Sequence, residues 1–272
     1  MKTMPIADNN GVRIYYEVEG KGPPLVLLHG FGSDLESWRD SGYVEPLKKN
    51  YQLILIDVRG HGGSEKPHEP HAYKLKILLA DVVRILDDLD VNKAHFMGYS
   101  MGGWIGFGIA EHALERFQCL IIGGASPYVD PGEPNLVLEL CTKLHTMPEP
   151  ARSEFASAWY EKTLGPRLTP QLKARLMAND LEALIALAST EDWMRSIEYV
   201  LPAISIPCLF FAGEGDTVYS GAKRCAETIP NATFVSFPNL GHLETRYRSD
   251  LVLPHVVGFL ERVDRHGKVA HR

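Results

Sequence analysis

The sequence predicts an α/β fold built on one mostly parallel sheet, with helices on both faces of the sheet. Short apolar runs alternate with helical patterns through the first half of the chain. These runs are continuously apolar, which is typical of strands buried on both faces. Polar and Gly-rich stretches follow the runs directly, and such sheets carry their functional residues at the carboxyl ends of the strands.

The elements can be placed in order along the chain. The turn signal Asn9-Asn10-Gly11 lies between two alternating runs and predicts an antiparallel hairpin with one solvated face. Apolar runs predict strands at residues 25–28, 53–56, 94–98, 119–122, 207–212 and 233–237. Apolar periodicity predicts helices at residues 38–47, 73–89, 222–228 and 249–263, and another directly after Ser100.

The rhythm of strand and helix breaks between residues 127 and 202, where prolines divide the chain into short pieces. Helical patterns with apolar faces are expected at 136–144, 155–164, 172–177, 181–187 and 193–200. We therefore predict a helical cap (127–202), inserted after the sixth strand of a core that comprises residues 1–126 and 203–272.

Composition narrows the class of protein. The chain has 272 residues and a formal net charge of −6, and its 45% apolar and 23% charged residues are typical of an ordinary globular protein. Scattered basic residues argue against a nucleic-acid partner, and no apolar run approaches a membrane span. Four widely spaced cysteines form no metal or redox pattern, and no secretory signal is visible. We expect a cytoplasmic protein without metal or cofactor.

The stretch Gly98-Tyr99-Ser100-Met101-Gly102 carries the chemistry. It joins an apolar run to a helical pattern and matches the nucleophile elbow G-x-S-x-G. The turn is so tight that the serine takes a strained backbone conformation. Gly98 and Gly102 are expected there because a Cβ at either position would collide with the chain.

A serine nucleophile needs a base and a group that orients the base. His242 follows the last predicted strand, and Asp216 follows the strand before it. The order Ser100, Asp216, His242 is the order of a triad in this kind of sheet. Glu214 and Asp130 are the competing acids.

Attack by Ser100 on an acyl carbonyl would place negative charge on the carbonyl oxygen. The backbone N–H groups of Met101 and Phe31 are expected to bind that oxygen. We expect the ring of His29 only to brace the loop that holds Phe31. The stretch from Asp57 to Ser64 lacks the spacing of a phosphate loop, and an Asp57–Arg59 brace of its turn is expected instead.

The motifs at 27–32, 57–64, 98–103, 213–216 and 241–242 together resemble the α/β-hydrolase fold superfamily. The chain looks like the lid-bearing branch of small esterases, lactonases and carbon–carbon bond hydrolases. The resemblance implies an eight-stranded sheet with an antiparallel second strand and a cap over the site. Haloalkane dehalogenases and epoxide hydrolases of this fold carry Asp where this chain has Ser100. Carbon–carbon hydrolases commonly carry an aromatic residue where Leu243 stands, which weakens that alternative.

Four apolar or aromatic residues are candidates for the substrate pocket: Tyr128, Trp159, Trp193 and Leu243. Most large apolar residues of a cap form its own core, so we expect a minority to line a compact apolar pocket. The leading hypothesis is a cofactor-free serine hydrolase that cleaves small to medium lipophilic carboxylic esters through an acyl-enzyme. A lactonase or carbon–carbon hydrolase with the same triad is the alternative, and a triad-retaining ligand receptor with little turnover is a further one.

Overall fold

The computed structural model describes residues 5–129 and 135–270, so Asp130 lies outside the described residues. Eight strands form one sheet in the order β1-β2-β4-β3-β5-β6-β7-β8. The strands are β1 (Ile6–Asn9), β2 (Val12–Glu19), β3 (Pro24–Leu28), β4 (Gln52–Ile56), β5 (Ala94–Tyr99), β6 (Phe117–Gly123), β7 (Cys208–Gly213) and β8 (Ala232–Phe237). Strand β2 is antiparallel to both β1 and β4, and the other pairings are parallel. The predicted fold class is confirmed.

Burial follows from the sequence patterns. Every residue of β5 and β7 is buried, as their continuous apolar runs predict. Alternate residues of a strand point to opposite faces, so Val26 and Leu28 join one apolar core while Leu25 and Leu27 join the other. A core on each face means that helices cover both sides of the sheet.

The helices on the strand-rich part of the chain are α1 (Ser37–Asp40), α2 (Val44–Leu47), α3 (Leu75–Asp88), α4 (Met101–Phe107) and α5 (Ile109–His112). The predicted helix at 38–47 is thus two short helices. Gly42, with φ +80°, lies between them in a conformation that an α-helix cannot contain. Helix α3 begins later than predicted because a 3₁₀ turn, Pro70–Tyr73, precedes it.

A helical segment joins β6 to β7, and we call its described residues, 135–203, the inserted segment. It contains α6 (Leu136–Thr146), α7 (Ala151–Leu164), α8 (Pro170–Met177), α9 (Leu181–Ala188) and α10 (Glu191–Met194). The predicted helix at 193–200 is replaced by the short α10 and a 3₁₀ turn, Glu198–Ala203. The Thr190 side chain caps α10 by accepting a hydrogen bond from the Trp193 N–H, which fixes its start upstream of the predicted one.

Three helices complete the fold: α11 (Tyr219–Thr228), α12 (His242–Arg246) and α13 (Ser249–Ala270). Helix α12 was not predicted from the sequence, which indicated a loop around His242. In the part of the chain that the structure describes, no helix combines the length and apolar character needed to cross a membrane.

Candidate active site

The serine at the elbow has the strained backbone that its motif predicts. Ser100 lies between β5 and α4 with φ 54° and ψ −117°, a conformation that costs about 1–3 kcal/mol for a residue with a Cβ. Its N–H donates to the Gly123 carbonyl, and its carbonyl accepts the N–H of Trp104, the first hydrogen bond of α4. These hydrogen bonds to β6 and α4 therefore hold the strained residue in place.

Gly98 and Gly102, two residues before and after Ser100, occupy positions where a side chain would not fit. A Cβ on Gly98 would lie 2.3 Å from the Gly102 carbonyl oxygen. A Cβ on Gly102 would lie 2.2 Å from the carbonyl oxygen of Leu28 on the neighbouring strand. Real Cβ contacts are longer than this, so any larger residue at either position would push the elbow away from the sheet.

Three residues from three strand ends meet beside the elbow. The Ser100 Oγ lies 3.0 Å from the His242 Nε2, and the His242 Nδ1 lies 2.7 Å from the Asp216 Oδ2. A carboxylate only accepts hydrogen bonds, so Nδ1 carries the proton and Nε2 is free to accept the Ser100 hydroxyl. Asp216 is buried, and its other oxygen accepts the Val218 N–H. The structure brings together the three residues that the sequence singled out.

The backbone of His242 has its own support. His242 is the first residue of α12, and its carbonyl accepts the Tyr99 hydroxyl at 2.5 Å. Tyr99 directly precedes the nucleophile, so one side chain links the elbow to the base. Burial raises the pKa of the Tyr99 phenol well above its ordinary value, so Tyr99 stays a hydrogen-bond donor.

The competing acid Glu214 points elsewhere. One of its carboxylate oxygens accepts a hydrogen bond from the Ser236 hydroxyl on the edge strand β8. Glu214 is exposed, whereas Asp216 is buried against the histidine. The geometry therefore favours Asp216 of the two.

The loop after β3 and the start of α4 each hold one of the two expected oxyanion donors close to the nucleophile. A Cβ on Gly30 would lie 3.3 Å from the Ser100 Cβ, so this loop runs directly beside the elbow. The Phe31 N–H and the Met101 N–H have no hydrogen-bond acceptor among the described residues. Met101 opens α4, where the first N–H groups of a helix are free. Both donors are therefore available to a ligand.

Two buried histidines brace this loop and remain neutral. The His29 Nδ1 donates to the Gly30 carbonyl, and its Nε2 accepts the Val58 N–H. The His61 Nε2 accepts the N–H of Gly32. Burial lowers the pKa of both rings to about 3, so neither is charged at neutral pH. The bracing role expected for His29 agrees with these contacts.

The expected Asp57–Arg59 brace is wrong. The Asp57 carboxylate accepts the N–H groups of Leu35 and Gly63, and burial raises its pKa to about 6. Arg59 instead forms a two-bond ion pair with Asp81 on α3. The backbone N–H groups near Asp57 need a buried acceptor, so the carboxylate holds the turn and leaves the guanidinium to the helix.

A cavity of about 510 Å³ lies between the inserted segment and the core, and Leu243, which directly follows His242, is one of its lining residues. Phe31, Leu243 and Arg246 form its core side, and apolar side chains of α6–α9 form most of the rest. Of the four predicted pocket residues, Trp159 and Leu243 line this cavity. Trp193 is not among its lining residues and packs against Phe31 and Trp104 instead.

Tyr128, the fourth predicted pocket residue, also lies outside this cavity. Its ring contacts the Arg224 guanidinium, 4.2 Å from the ring centroid, on the side of α11. Tyr128 and Trp193 therefore contact residues of the core and do not line this cavity.

Arg246 is a cavity residue that no motif in the sequence singles out. It lies four residues after His242, which is one turn of α12 further on, so both side chains face the same way. The one signal that could have found it is this i, i+4 spacing, and the signal has meaning only if residues 242–246 are recognised as a helix. Within residues 5–129 and 135–270, no group of three or more His, Cys, Asp or Glu side chains could hold a metal ion.

Comparisons with known proteins agree with the architecture. The sequence model of the family described as "alpha/beta hydrolase fold" matches residues 23–244. A solved structure of a hydrolase from Pseudomonas aeruginosa PA01 superimposes with a TM-score of 0.82 at 27% identity, over 95% of this chain and 98% of that one.

Two curated relatives differ in how much they share with the chain. The 3-oxoadipate enol-lactonase 2 of Acinetobacter baylyi is 28% identical over 76% of this chain and 78% of its own length. Epoxide hydrolase 4 of Mus musculus is 37% identical, but the match spans 42% of this chain and only 32% of that protein. These relatives support hydrolytic chemistry.

Proposed function

Because the chain belongs to the α/β hydrolase family, we propose that it is a serine hydrolase that cleaves carboxylic esters through an acyl-enzyme. The single observation that carries the proposal is the chain of two hydrogen bonds from Ser100 through His242 to Asp216. Such a chain converts a weakly nucleophilic hydroxyl into an attacking group, because a base takes its proton as the new bond forms.

In the acylation half, the Ser100 Oγ attacks the ester carbonyl while the His242 Nε2 takes the hydroxyl proton. The imidazolium that forms is stabilised by the buried Asp216 carboxylate. His242 then returns the proton to the leaving alkoxide, and the bond between the carbonyl carbon and the alcohol oxygen breaks. The acyl group remains on Ser100.

Deacylation repeats these steps with water. His242 takes a proton from water, the hydroxide attacks the acyl-enzyme, and the proton passes to the Ser100 oxygen as the acid leaves. In each half, a tetrahedral intermediate places negative charge on the former carbonyl oxygen. The free N–H groups of Phe31 and Met101 would bind that oxygen, and each such donor is worth about 2.7–4 kcal/mol.

The relevant experiment measures acyl-enzyme formation directly. A short p-nitrophenyl ester is expected to give a burst of nitrophenolate, and a fluorophosphonate is expected to label Ser100. Both signals should disappear in Ser100→Ala and persist in Ser189→Ala, which removes an exposed hydroxyl that donates to the Ile185 carbonyl. Normal turnover by a folded Ser100→Ala variant would contradict the proposal, as would tight ligand binding without repeated turnover by the unmodified protein.

A second arm of the experiment identifies the acid. Asp216→Asn should lower kcat about 10⁴-fold, because an amide cannot hold the histidine in the required tautomer. Glu214→Gln removes the same charge two residues away, where the exposed carboxylate accepts a hydrogen bond from Ser236, and should change kcat less than about 3-fold. Equal losses in the two variants would remove Asp216 from the mechanism.

Lactone opening is the second candidate, because the alignment with the enol-lactonase spans 76% of this chain and 78% of that protein. A lactone is a cyclic ester, so the same attack on the carbonyl opens the ring and leaves the alcohol tethered to the acyl group. Comparing kcat/KM for a lactone with that for the corresponding open-chain ester separates the two substrates.

A further inference from the structure

A buried cation lies beside the proposed nucleophile without a carboxylate to balance it. Arg246 is only 6% exposed and lines the cavity between the core and the inserted segment. Among the described residues, no carboxylate lies within ion-pair distance of its guanidinium. Proteins rarely bury an arginine without such a partner, because the charge loses its hydration.

Hydrogen bonds do not replace the missing carboxylate. The Arg246 Nη2 donates to the Ser33 hydroxyl at 3.3 Å, and this is its sole side-chain hydrogen bond within the described part of the chain. The buried Nε has no acceptor among these residues. The rings of Tyr99 and Tyr247 lie 6.0 Å from the guanidinium carbon, at the outer limit of a cation–π contact. Most of the five N–H donors of the guanidinium are thus unused.

The Arg246 guanidinium lies close to the proposed nucleophile, Ser100. The Arg246 Nη1 lies 3.8 Å from the point where a Cβ on Gly30 would sit, and the Ser100 Cβ lies 3.3 Å from that same point. Gly30 directly precedes Phe31, one of the two proposed oxyanion donors. A group bound to Arg246 would therefore be part of the molecule that Ser100 attacks.

Another arginine at the cavity shows the usual arrangement. The Arg152 guanidinium lines the same cavity and forms an ion pair with Glu149 at 2.8 Å. Among the described residues, the charge of Arg152 thus has a counterpart and that of Arg246 has none.

We propose that Arg246 binds a carboxylate of the substrate, a few bonds from the ester that Ser100 attacks. A guanidinium presents paired N–H donors that match the two oxygens of a carboxylate. The apolar remainder of the substrate fills the cavity under α6–α9. The proposal rests on the proposed hydrolase function and adds a negative charge to the lipophilic ester expected from the sequence.

The test compares esters that differ in one charge. Monomethyl malonate, succinate, glutarate and adipate place a carboxylate at increasing distance on the acyl side, and their dimethyl esters are the neutral counterparts. Acetoxyacetate and its methyl ester test a carboxylate on the alcohol side. The wild-type protein should favour the charged member of at least one pair by about 10-fold or more in kcat/KM, as expected for a hydrogen bond to a charged group.

Variants assign that preference to the guanidinium. In Arg246→Met the ratio of kcat/KM for the charged ester to that for the neutral ester should fall about 10- to 100-fold. Arg246→Lys keeps the charge and should retain part of the ratio. Arg248→Met is the matched control, because Arg248 lies two residues on, has a side chain that is 40% exposed and pairs with Asp250. A wild-type protein without preference in any pair, or an unchanged ratio in Arg246→Met, would overturn the proposal.

A binding measurement separates this proposal from the proposed reaction. In Ser100→Ala, calorimetry should detect binding of monomethyl glutarate, and binding should weaken at least 10-fold when Arg246→Met is added. This result can be obtained even if the protein hydrolyses no ester. Equal binding with and without Arg246 contradicts the carboxylate site and leaves the hydrolase proposal intact.

Discussion

The core and the inserted segment contribute to the same site through different kinds of contact. The core positions Ser100, Asp216 and His242 at the ends of parallel strands whose residues are buried and joined by backbone hydrogen bonds. The inserted segment meets the core in two ways. Its buried apolar residues, such as Leu187 and Val200, belong to the same apolar cluster as the core strands, whereas α8 and the residues that follow it meet the core through polar side chains. Asn179 donates to the Gly32 carbonyl, and Arg175 forms an ion pair with Asp34 at 2.7 Å.

This difference separates two properties of the site. Residues that carry out chemistry must hold their geometry within fractions of an ångström, and a sheet with buried strands provides that rigidity. Residues that surround the substrate can sit on a part of the inserted segment, such as α8, that meets the core through partly exposed polar contacts, which open at lower cost than the core. We call the polar contacts between the inserted segment and the core, such as the Arg175–Asp34 ion pair, the junction. We expect changes in the core to alter stability, and changes at the junction to alter substrate binding.

The largest effect on stability is expected at the Arg59–Asp81 pair, which lies wholly within the core. Both side chains are 4% exposed, and two hydrogen bonds join them. Arg59→Met leaves a buried carboxylate with Asn9 as its remaining side-chain donor, and should lower the free energy of unfolding by about 3–5 kcal/mol. Chemical denaturation at pH 7 measures the change.

Two further variants show whether burial causes that loss. Arg59→Met/Asp81→Leu removes both charges and should recover a large part of the stability. Arg84→Met breaks an exposed ion pair with Asp88 on the same helix and should cost less than about 0.5 kcal/mol. If Arg59→Met is as mild as Arg84→Met, the core does not depend on its buried pair.

A smaller effect on stability is expected at the junction. Arg175 is 28% exposed, and Asp34 and Asp40, its partners on the core, are also partly exposed. Arg175→Met should lower the free energy of unfolding by about 1 kcal/mol or less. It should raise KM several-fold, because the segment that covers the cavity is held less firmly, while kcat changes less.

The matched control is Lys173→Met on the same helix, α8. Lys173 pairs with Glu161 inside the inserted segment and does not contact the core through that pair. Lys173→Met should leave KM within about 2-fold of the wild-type value. A fall in kcat with an unchanged KM in Arg175→Met would show that the junction controls the triad and not the substrate pocket.

The same division decides what the sequence could predict. The sheet, its strands and the meeting of Ser100, Asp216 and His242 follow from local signals, because an apolar run fixes a strand and the fold aligns the strand ends. The catalytic roles of these residues remain predictions. Arg246 was missed because its importance depends on α12 and on the lack of a nearby carboxylate, neither of which a motif encodes.

Errors arose where partners are distant in sequence. Asp57 and Arg59 are two residues apart, yet they bind different partners, because the buried turn needs the carboxylate and α3 presents Asp81 to the guanidinium. Trp193 was predicted to line the pocket because it is a large apolar residue, but its ring packs on Trp104 of α4. Such pairings depend on the tertiary fold, so composition and spacing do not reveal them.

The smallest predicted effect is a pH-dependent contact at the junction. His68, on the core, lies 3.0 Å from Asp180 and 2.9 Å from Glu182 of the inserted segment. The hydrogen bond to Asp180 raises the pKa of the His68 ring above its ordinary value of 6.5, and the same contact lowers the pKa of Asp180. Asp180 therefore stays ionised between pH 5.5 and about 8.5, so the charge that changes within the His68–Asp180 pair is that of His68.

A group whose pKa is raised on folding stabilises the folded state below its unfolded pKa and loses that effect as the pH rises through the folded value. The difference in unfolding free energy between the wild-type protein and His68→Gln should therefore be largest near pH 5.5–6 and shrink towards pH 8.5. His71→Gln, which changes an exposed histidine on the adjoining 3₁₀ turn, should give no such trend. A difference that grows with pH would mean that His68 is neutral when it contacts Asp180, and that the two sides are not joined by an ion pair.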